Sequence, residues 1–203
     1  MVIKLDKIDR KILFELDKNC RISNAQLGKK VNRSRESVKY RIKQLQEKGV
    51  LTSFITSINP NKLGFYMFKA YLKLENIPEE RKKFFKALKD NKSVYWYGVS
   101  DGAFDCAFAF LSTNITTYFE EINSLLSKWE HLIITKVLGT MVDTRQYYKK
   151  FLTDEPSKEV IFGGDITSVE TDELDFKILN ILANDARIPV TDLVRKVNST
   201  VEI

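Results

Sequence analysis

Two stretches of 28 residues in this chain resemble each other, and the two copies lie 166 positions apart. The first copy, LDKIDRKILFELDKNCRISNAQLGKKVN, runs from Leu5 to Asn32, and the second, TDELDFKILNILANDARIPVTDLVRKVN, runs from Thr171 to Asn198. A segment repeated in this way folds twice as the same supersecondary unit. Any fold for the chain must therefore accommodate two copies of one small helical unit.

The first copy predicts two short helices. Ile8, Ile12 and Leu16 recur at helical spacing and mark the buried side of the first helix. Ser23 is expected to begin the second helix, because SNAQ places Gln26 three residues after a serine and allows reciprocal capping. The repeated unit therefore begins as two helices with a short connection between them.

The next segment predicts a tight turn, a third helix and a strand. Asn32 tolerates the left-handed conformation of such a turn, and Ser34 can cap a helix over RESVKYRIKQLQEKG. Gly28 is expected where the second helix crosses the third, since its missing side chain permits close approach. Residues 50–58, VLTSFITSI, alternate in polarity like a strand. This order describes a winged helix-turn-helix, whose last helix enters the DNA major groove.

Charge is distributed unevenly along the chain. Residues 1–62 carry 15 Lys and Arg against 6 Asp and Glu, whereas residues 151–203 carry 5 against 11. DNA is a dense polyanion, so a basic segment at one end of the chain favours nucleic-acid contact at that end. The first copy is therefore predicted to bind DNA, whereas the second copy lies in an acidic segment.

The outer side of the third helix and the turn before it supply the candidate DNA contacts. The N-terminal half of such a helix faces base edges, while Arg33 and Arg41 are expected to hold phosphates or brace the fold. A charged helix face can also be merely solvated; here charge, turn, caps and strand together favour DNA. The candidate DNA-binding residues are Arg33, Ser34, Arg35, Glu36, Lys39, Tyr40, Arg41 and Lys43.

Residues 1–65 resemble the N-terminal domain of the leucine-responsive regulator (Lrp/AsnC) family of bacterial and archaeal transcription factors. The resemblance rests on LDKIDRKIL, RISNAQLGKKV, SRESVKYRIKQLQEKGVL and NPNKLGF, which occur in the family's order and spacing. It continues less sharply to about residue 150. It implies a regulator with a DNA-binding first domain and a second domain that dimerises and binds a small effector, commonly an amino acid.

The central part of the chain predicts a ferredoxin-like βαββαβ domain. FYMFKAYLKL, SVYWYGV, FDCAFAFL and LIITKVLGTMV are predicted strands, and PEERKKFFKALKDN and ITTYFEEINSLLSKW are predicted amphipathic helices. Two helices cover one face of a four-stranded sheet, yet Ala107, Ala109 and Leu111 make the other face apolar too. A large exposed apolar surface usually marks an association site, so we expect a homodimer or higher oligomer.

The turn SDGAFD joins two of these strands and holds the candidate effector-binding residues. Gly102 and Asp105 match the family's Gly-x-x-Asp stretch, and the resemblance implies that an amino acid binds nearby. A glycine lets a ligand approach the backbone, and a carboxylate accepts protons from an amino group. A turn glycine and a loop-capping aspartate would give the same pattern.

The last part of the chain predicts an acidic linker and an incomplete second unit. Residues 152–170 contain a proline, two glycines and many acids. The second copy then reaches STVEI, where a third helix would begin and Glu202 aligns with Glu36. Without the basic third helix it is not expected to read DNA. Either the chain is part of a longer tandem protein, which we favour, or the tail is a degenerate dimerisation or regulatory element.

Together these features predict an α+β chain in four segments. One histidine and two distant cysteines provide no metal site, and no cofactor is expected. Short apolar runs and a charged N-terminus argue against a membrane span and a signal peptide, so we expect a cytoplasmic protein. The segments are a winged helix-turn-helix over 1–62, a ferredoxin-like dimerisation and effector-binding domain over 63–151, an acidic linker over 152–170 and an incomplete second helix-turn-helix over 171–203.

The leading hypothesis is a sequence-specific DNA-binding transcriptional regulator, dimeric or larger, that a small metabolite modulates. An alternative is a sensor or interaction module that keeps the fold without binding DNA. A further alternative is a haem-biosynthesis decarboxylase of related fold, in which His131 and Arg145 would serve a tetrapyrrole pocket. No clustered acid–base pair supports an enzyme.

Overall fold

The computed structural model describes residues 3–156 and 158–200 and divides the chain into two compact units. Each unit has an apolar core of its own. The first unit comprises Met1–Ile58, Arg145–Val160 and Thr171–Ile203, and the second comprises Asn59–Thr144 and Ile161–Glu170.

The first unit begins with three helices, α1 (Lys7–Lys18), α2 (Asn24–Val31) and α3 (Arg35–Glu47). Each helix starts at a side chain that accepts a backbone hydrogen bond, which satisfies an N–H group left free at a helix end. The predicted cap at the start of α2 is confirmed, with reciprocal bonds between Ser23 and Gln26. The core of this unit consists of Ile12, Leu16, Ile22, Leu27, Val31, Val38, Ile42 and Leu45.

The turn between α2 and α3 depends on two residues with small or polar side chains. Asn32 has a φ of 53°, in the left-handed region that was predicted for it. Gly28 is buried in α2, and a Cβ atom added to it would lie 2.5 Å from the backbone oxygen of Arg33. The expected close approach at Gly28 is therefore confirmed, and it is to the turn that leads into α3.

The strand predicted over residues 50–58 is wrong, since the structure describes all nine of these residues and assigns no strand there. Val50, Leu51 and Phe54 pack in part against the core of the three helices. The alternating polarity thus reflects a half-buried irregular segment rather than a strand paired in a sheet.

The second unit has the predicted ferredoxin-like order. Its four strands form an antiparallel sheet in the order β2-β3-β1-β4, with β1 and β3 at the centre. Antiparallel hairpin and crossover connections of this kind leave both helices on one face of the sheet. The elements are β1 (Tyr66–Leu74), α4 (Pro78–Asp90), β2 (Val94–Val99), β3 (Cys106–Ser112), α5 (Ile115–Ser127) and β4 (Ile133–Thr140).

The two faces of this sheet differ in cover. Alternate residues of β1 and β3 point towards the helices and form a core with residues of α4 and α5. The other face, which we name the open face, includes Tyr71 of β1 opposite Val137 of β4, and Lys69 of β1 opposite Ala109 of β3. Val137 is 47% exposed. The helix-facing core includes Phe68, Ala70, Leu72, Phe84, Leu88, Cys106, Phe108, Phe110, Tyr118 and Ile122.

The predicted linker over 152–170 contains a strand and is therefore not irregular throughout. β5 (Asp143–Tyr147) and β6 (Glu159–Gly163) pair in a two-stranded sheet, which the sequence analysis did not predict. Residues after β6 bond to a short 3₁₀ helix: Asn61 Nδ2 donates to the backbone oxygen of Gly164 at 3.2 Å, and Val169 N donates to that of Lys62 at 2.9 Å.

The second copy of the repeat forms α6 (Glu173–Asn184) and α7 (Val190–Val197). Asn198 has a φ of 53°, the same as Asn32, and Ser199 N donates to the backbone oxygen of Val194 as Arg33 N does to Gly28. Residues 201–203, which include the predicted counterpart of Glu36, lie outside the described residues. Among the described helices, none is long and apolar enough to cross a membrane.

Candidate DNA-binding interface

The outer side of α3 projects a continuous set of polar side chains into solvent. Tyr40 is 64% exposed, and the side chain of Lys43 is 72% exposed. Arg35, Glu36 and Lys39 are also exposed. Their side chains lie opposite Val38, Ile42 and Leu45, which are buried in the core. A helix held in this way presents one polar face without obstruction from the described part of its own unit.

The turn before α3 fixes where this face begins. Ser34 Oγ accepts a hydrogen bond from Ser37 N at 3.2 Å and so caps α3. Arg33 donates from Nη1 to the backbone oxygen of Asn32 at 2.7 Å, and both residues are exposed. The first N–H groups of α3 and these two side chains therefore lie at one end of the candidate interface, where an anion is favoured by the helix dipole.

Arg41 is placed differently from the other candidate residues. Its Nη1 lies 2.8 Å from Asp6 Oδ2 and 2.7 Å from Asp9 Oδ1, so it ties α3 to the start of α1. The backbone N–H of Asp9, together with the Arg41 guanidinium, holds the pKa of Asp6 below its ordinary value. Of the two roles expected for Arg41, the geometry shows the bracing contact.

A second brace, which sequence reasoning missed, joins α1 to α2. The carboxylate of Glu15 is 3% exposed, accepts from Lys18 Nζ at 2.8 Å and is also paired with Lys30 Nζ. Burial opposes the charge of Glu15, but the bonds from the two lysines outweigh it and hold its pKa below the ordinary value. Only the spacing of Glu15 and Lys18, one helical turn apart, could have indicated this pair.

The turn of the candidate effector site is held by a network around Asp105. This aspartate is 5% exposed, and it accepts from Leu74 N at 2.9 Å, from Lys73 Nζ at 2.9 Å and from Arg81 Nη2 at 3.3 Å. The Leu74 N–H and the Lys73 ammonium hold the pKa of Asp105 below its ordinary value. Lys73 Nζ also donates to the backbone oxygen of Gly102 at 2.9 Å.

Gly102 itself occupies an open position in that turn. Its φ is 133°, a conformation that favours glycine, and an added Cβ would meet no atom within 4 Å. The two candidate effector-binding residues are thus joined through Lys73, with Asp105 inside the network and Gly102 at its exposed edge.

His131 and Arg145, which the decarboxylase alternative would use, each have a carboxylate nearby. His131 Nε2 lies 3.4 Å from Glu80 Oε2, and Arg145 Nη1 lies 3.3 Å from Glu159 Oε1. His131 lies in a 3₁₀ turn before β4. Among the described residues, no group of three or more His, Cys, Asp or Glu side chains could hold a metal ion.

Both copies of the repeat match models of known protein families. Residues 5–52 match a model described as winged helix-turn-helix DNA-binding. Residues 172–202 match the AsnC-type helix-turn-helix domain. The second copy is therefore similar to a DNA-binding unit, although α6 and α7 are the helices that the structure describes over 171–200.

Relatives with similar sequences are transcriptional regulators by name. The HTH-type transcriptional regulator Ptr1 of Methanocaldococcus jannaschii is 37% identical over 101 residues, which are 50% of this chain and 68% of Ptr1. LrpA of Bacillus subtilis is 32% identical over 138 residues, which are 66% of this chain and 98% of LrpA. The match thus spans about two thirds of the archaeal relative and nearly all of the bacterial one.

A solved structure with a similar fold is that of the transcriptional regulator NMB0573 from Neisseria meningitidis, determined as a complex with L-Met. Its TM-score is 0.63 at 20% identity, over 72% of this chain and 95% of that one. Similarity at this level of identity establishes the fold, an N-terminal helix-turn-helix followed by an α+β domain. Together with LrpA, which is 32% identical along nearly its full length, these matches show that the chain belongs to the Lrp/AsnC family of transcriptional regulators.

Proposed function

We propose that the first helix-turn-helix binds double-stranded DNA with α3 in the major groove, and that Arg35, Glu36, Lys39, Tyr40 and Lys43 contact base edges or phosphates. The observation that carries this proposal is the exposed outer face of α3 on a braced helical unit. Five of its residues are polar and accessible, and three of these are basic. Ser34 orients the helix through its cap, while Arg33 lies at the end where phosphates are favoured.

In this proposal Arg41 does not contact bases. Its guanidinium already donates to two carboxylates of α1, which fixes the angle of α3 on the unit. A helix whose side chains read bases must be held within a small error of its docked position, so a bracing arginine supports recognition without touching DNA. The protein would act in the cytoplasm, where a bacterial or archaeal chromosome lies.

The proposal is tested by fluorescence anisotropy on genomic DNA fragments selected for binding to the full chain. Affinity is expected to fall steeply between about 50 and 200 mM salt, because phosphate contacts release counterions. The double variant Lys39→Ala, Tyr40→Ala is expected to weaken binding at least about tenfold. Lys82→Ala is the matched control, since Lys82 is an exposed lysine of α4.

Two outcomes would count against DNA binding. One is an affinity for these fragments that does not depend on salt, and the other is equal binding by the double variant and the Lys82→Ala control. An absence of binding even at low salt would instead favour the alternative of a sensor or interaction module.

We further propose that the second unit forms a homodimer or larger oligomer through the open face of its sheet. Tyr71 and Val137 lie opposite each other there, and the Lys69 ammonium lies over the Trp96 ring at 5.0 Å from its centroid. Aromatic residues such as Tyr71 and Trp96 are enriched at protein–protein interfaces. Two such sheets can stack face to face at about 10 Å.

We also propose that an amino acid binds beside the Gly102–Asp105 turn. Open space around Gly102 supports this, and the L-Met bound to NMB0573 shows that a protein of similar fold binds an amino acid. Because the Asp105 carboxylate already accepts from three intrachain donors, we assign it the role of holding Lys73 and the turn in place.

Calorimetric titration of the full chain with each common amino acid, L-methionine included, tests the effector site. Heat that is lost in Gly102→Val but kept in Gly139→Ala, a glycine of β4 with no atom within 4 Å of an added Cβ, is the expected result. No heat with any amino acid at millimolar concentration would contradict the proposal.

A further inference from the structure

The second copy of the repeat is buried at its turn rather than along its helices. Ala186 and Ile188, in the connection between α6 and α7, are 2% and 3% exposed. Over residues 171–200, all of which the structure describes, no other residue is buried, and neither helix contributes one. The equivalent helices of the first copy bury several residues each. The connection between α6 and α7 is therefore the most buried part of the second copy.

The first copy covers this connection with its own equivalent residues. Arg21 and Arg187 occupy the same position of the repeat, 166 residues apart. Arg21 Nη1 donates to the backbone oxygen of Ala186 at 2.9 Å. Arg187 Nη2 lies 3.4 Å from the backbone oxygen of Ile22 and 3.2 Å from Asn24 Oδ1. Each arginine thus bonds to the other copy, although the two arginines contact different positions of the repeat.

The segment after α3 extends the contact. Ala186 N donates to the backbone oxygen of Phe54 at 2.9 Å, and Thr56 N donates to that of Leu182 at 3.2 Å. The Arg187 guanidinium lies 4.9 Å from the centroid of the Phe54 ring, which also packs on the core of the first copy. The second copy therefore contacts the backbone of residues 54–56 within the range where the sequence predicted a strand.

We propose that the second copy is a docking module whose partner is the first copy, and that it orders residues 50–58 in place of a paired strand. The docking site lies around Ile22, Asn24 and Phe54. It is defined by the bonds of two equivalent arginines, two backbone hydrogen bonds and a cation–π contact. This role requires no third helix in the second copy. It also leaves the outer face of α3 exposed, so it does not depend on the proposed DNA binding.

The contact between the copies depends on arginine side chains, because neither helix of the second copy contributes a buried residue to it. Desolvation, together with the nearby charge of Arg21, lowers the pKa of Arg187. The guanidinium bonds to Ile22 and Asn24 where water is excluded. Arg195, one turn from the end of α7, is 80% exposed and pairs only with Asp192 among the contacts described for it. It therefore serves as a matched control with the same side chain in the same copy.

Hydrogen exchange of the full-length chain, followed amide by amide by NMR, tests the docking. In the wild type the Thr56 and Ala186 amides are expected to be protected, because Thr56 donates to Leu182 in the second copy and Ala186 donates to Phe54 in the segment after α3. Arg187→Ala and Arg21→Ala are each expected to accelerate exchange at both amides by about tenfold or more, since each variant removes a charge-assisted bond across the contact. Arg195→Ala is expected to leave both rates unchanged.

The amide of Ile42 in α3 reports whether the first copy stays folded in each variant. If an alanine variant also loses protection at the Ile42 amide, Arg187→Lys is measured in its place. Lysine keeps the charge but cannot bond to Ile22 and Asn24 together as the forked guanidinium does. The proposal is overturned if the Thr56 and Ala186 amides exchange freely in the wild type. It is overturned equally if either arginine variant matches Arg195→Ala while Ile42 stays protected.

Discussion

Glu15 and Asp105 are carboxylates that stay buried in this protein because each is surrounded by donors. Glu15 pairs with two lysines, and Asp105 accepts from a backbone N–H, a lysine and an arginine. The sequence identified Asp105 as a residue of interest but not its partners, since Lys73 and Arg81 lie 32 and 24 positions away. Spacing predicts contacts within a helix; it does not predict contacts that the sheet brings together.

The Asp105 network predicts a stability that depends on pH. With the folded-state pKa of Asp105 below its ordinary value of about 3.9, the ionised carboxylate stabilises the fold above that value. This contribution is lost as the pH falls through the lowered pKa. Asp105→Asn is expected to cost about 1–3 kcal/mol at pH 7 and progressively less below pH 4. Urea unfolding of both proteins across this range measures the difference.

Asp101→Asn is the control for this experiment, because Asp101 is an exposed aspartate of the same turn. It is expected to change the free energy of unfolding by less than about 0.5 kcal/mol. A pH-independent gap between wild type and Asp105→Asn would show that ionisation of Asp105 does not stabilise the fold.

A second prediction concerns the buried side chain of Tyr118. Its ring stacks on Phe68 with centroids 3.8 Å apart, but its buried hydroxyl has no hydrogen-bond partner among the described residues. Tyr118→Phe removes an unsatisfied polar group and keeps the stack, so it is expected to leave the second unit equally stable or up to about 1 kcal/mol more stable. Thermal unfolding measures this, with Tyr118→Leu as the variant that loses the stack. A clear loss of stability in Tyr118→Phe would contradict the prediction.

At the scale of elements, α3 has two sides with different tasks. Its inner side and Arg41 hold it against α1, and its outer side is free for a ligand. Helical periodicity and caps were sufficient to predict α1, α2 and α3, because both signals are local. The strand over 50–58 was wrong because alternating polarity shows only that a segment is half buried. It does not show whether the covering chain is a strand or, as here, a turn more than 120 residues away.

Two substitutions distinguish the task of the inner side of α3 from that of its outer side. Arg41→Ala is expected to lower the free energy of unfolding by about 1 kcal/mol and to weaken DNA binding, because α3 loses its tie to α1. Lys43→Ala is expected to weaken DNA binding without loss of stability and to reduce the slope of log affinity against log salt by about one. Urea denaturation and fluorescence anisotropy measure the two effects, and unchanged stability in Arg41→Ala would contradict the bracing role.

At the scale of the whole molecule, the sequence predicted the kinds of element well and their partners less well. The βαββαβ order of the second unit followed from strand and helix patterns, and the structure has it. The pairing of β5 with β6 was missed, since those short segments lie among acids, a proline and glycines that indicate irregular chain. The candidate DNA-binding and effector-binding residues remain predictions, because their roles depend on ligands rather than on the fold.

The open face predicts an oligomer that a single charge should disrupt. Val137→Asp places a carboxylate on the open face, on the edge strand β4 opposite Tyr71, and is expected to shift the chain to a monomer by sedimentation velocity at micromolar concentration. Ile115→Asp is the control, since Ile115 is 58% exposed at the start of α5 on the covered side of the sheet. A wild-type monomer at this concentration, or an unchanged oligomer in Val137→Asp, would contradict the proposed interface.

The bonds that Arg21 and Arg187 make between the two copies have a consequence during translation. Because these residues are 166 positions apart, a ribosome adding about 5–20 residues per second makes the second about 10–30 s after the first. The first three helices share a core that includes Ile22, so they can fold at once. The Ile22 backbone oxygen and the Phe54 ring stay uncovered until the turn that contacts them has been made. In a polysome, turns of neighbouring nascent chains compete for that site, and an exchange of second copies between them would yield an interlocked pair of chains.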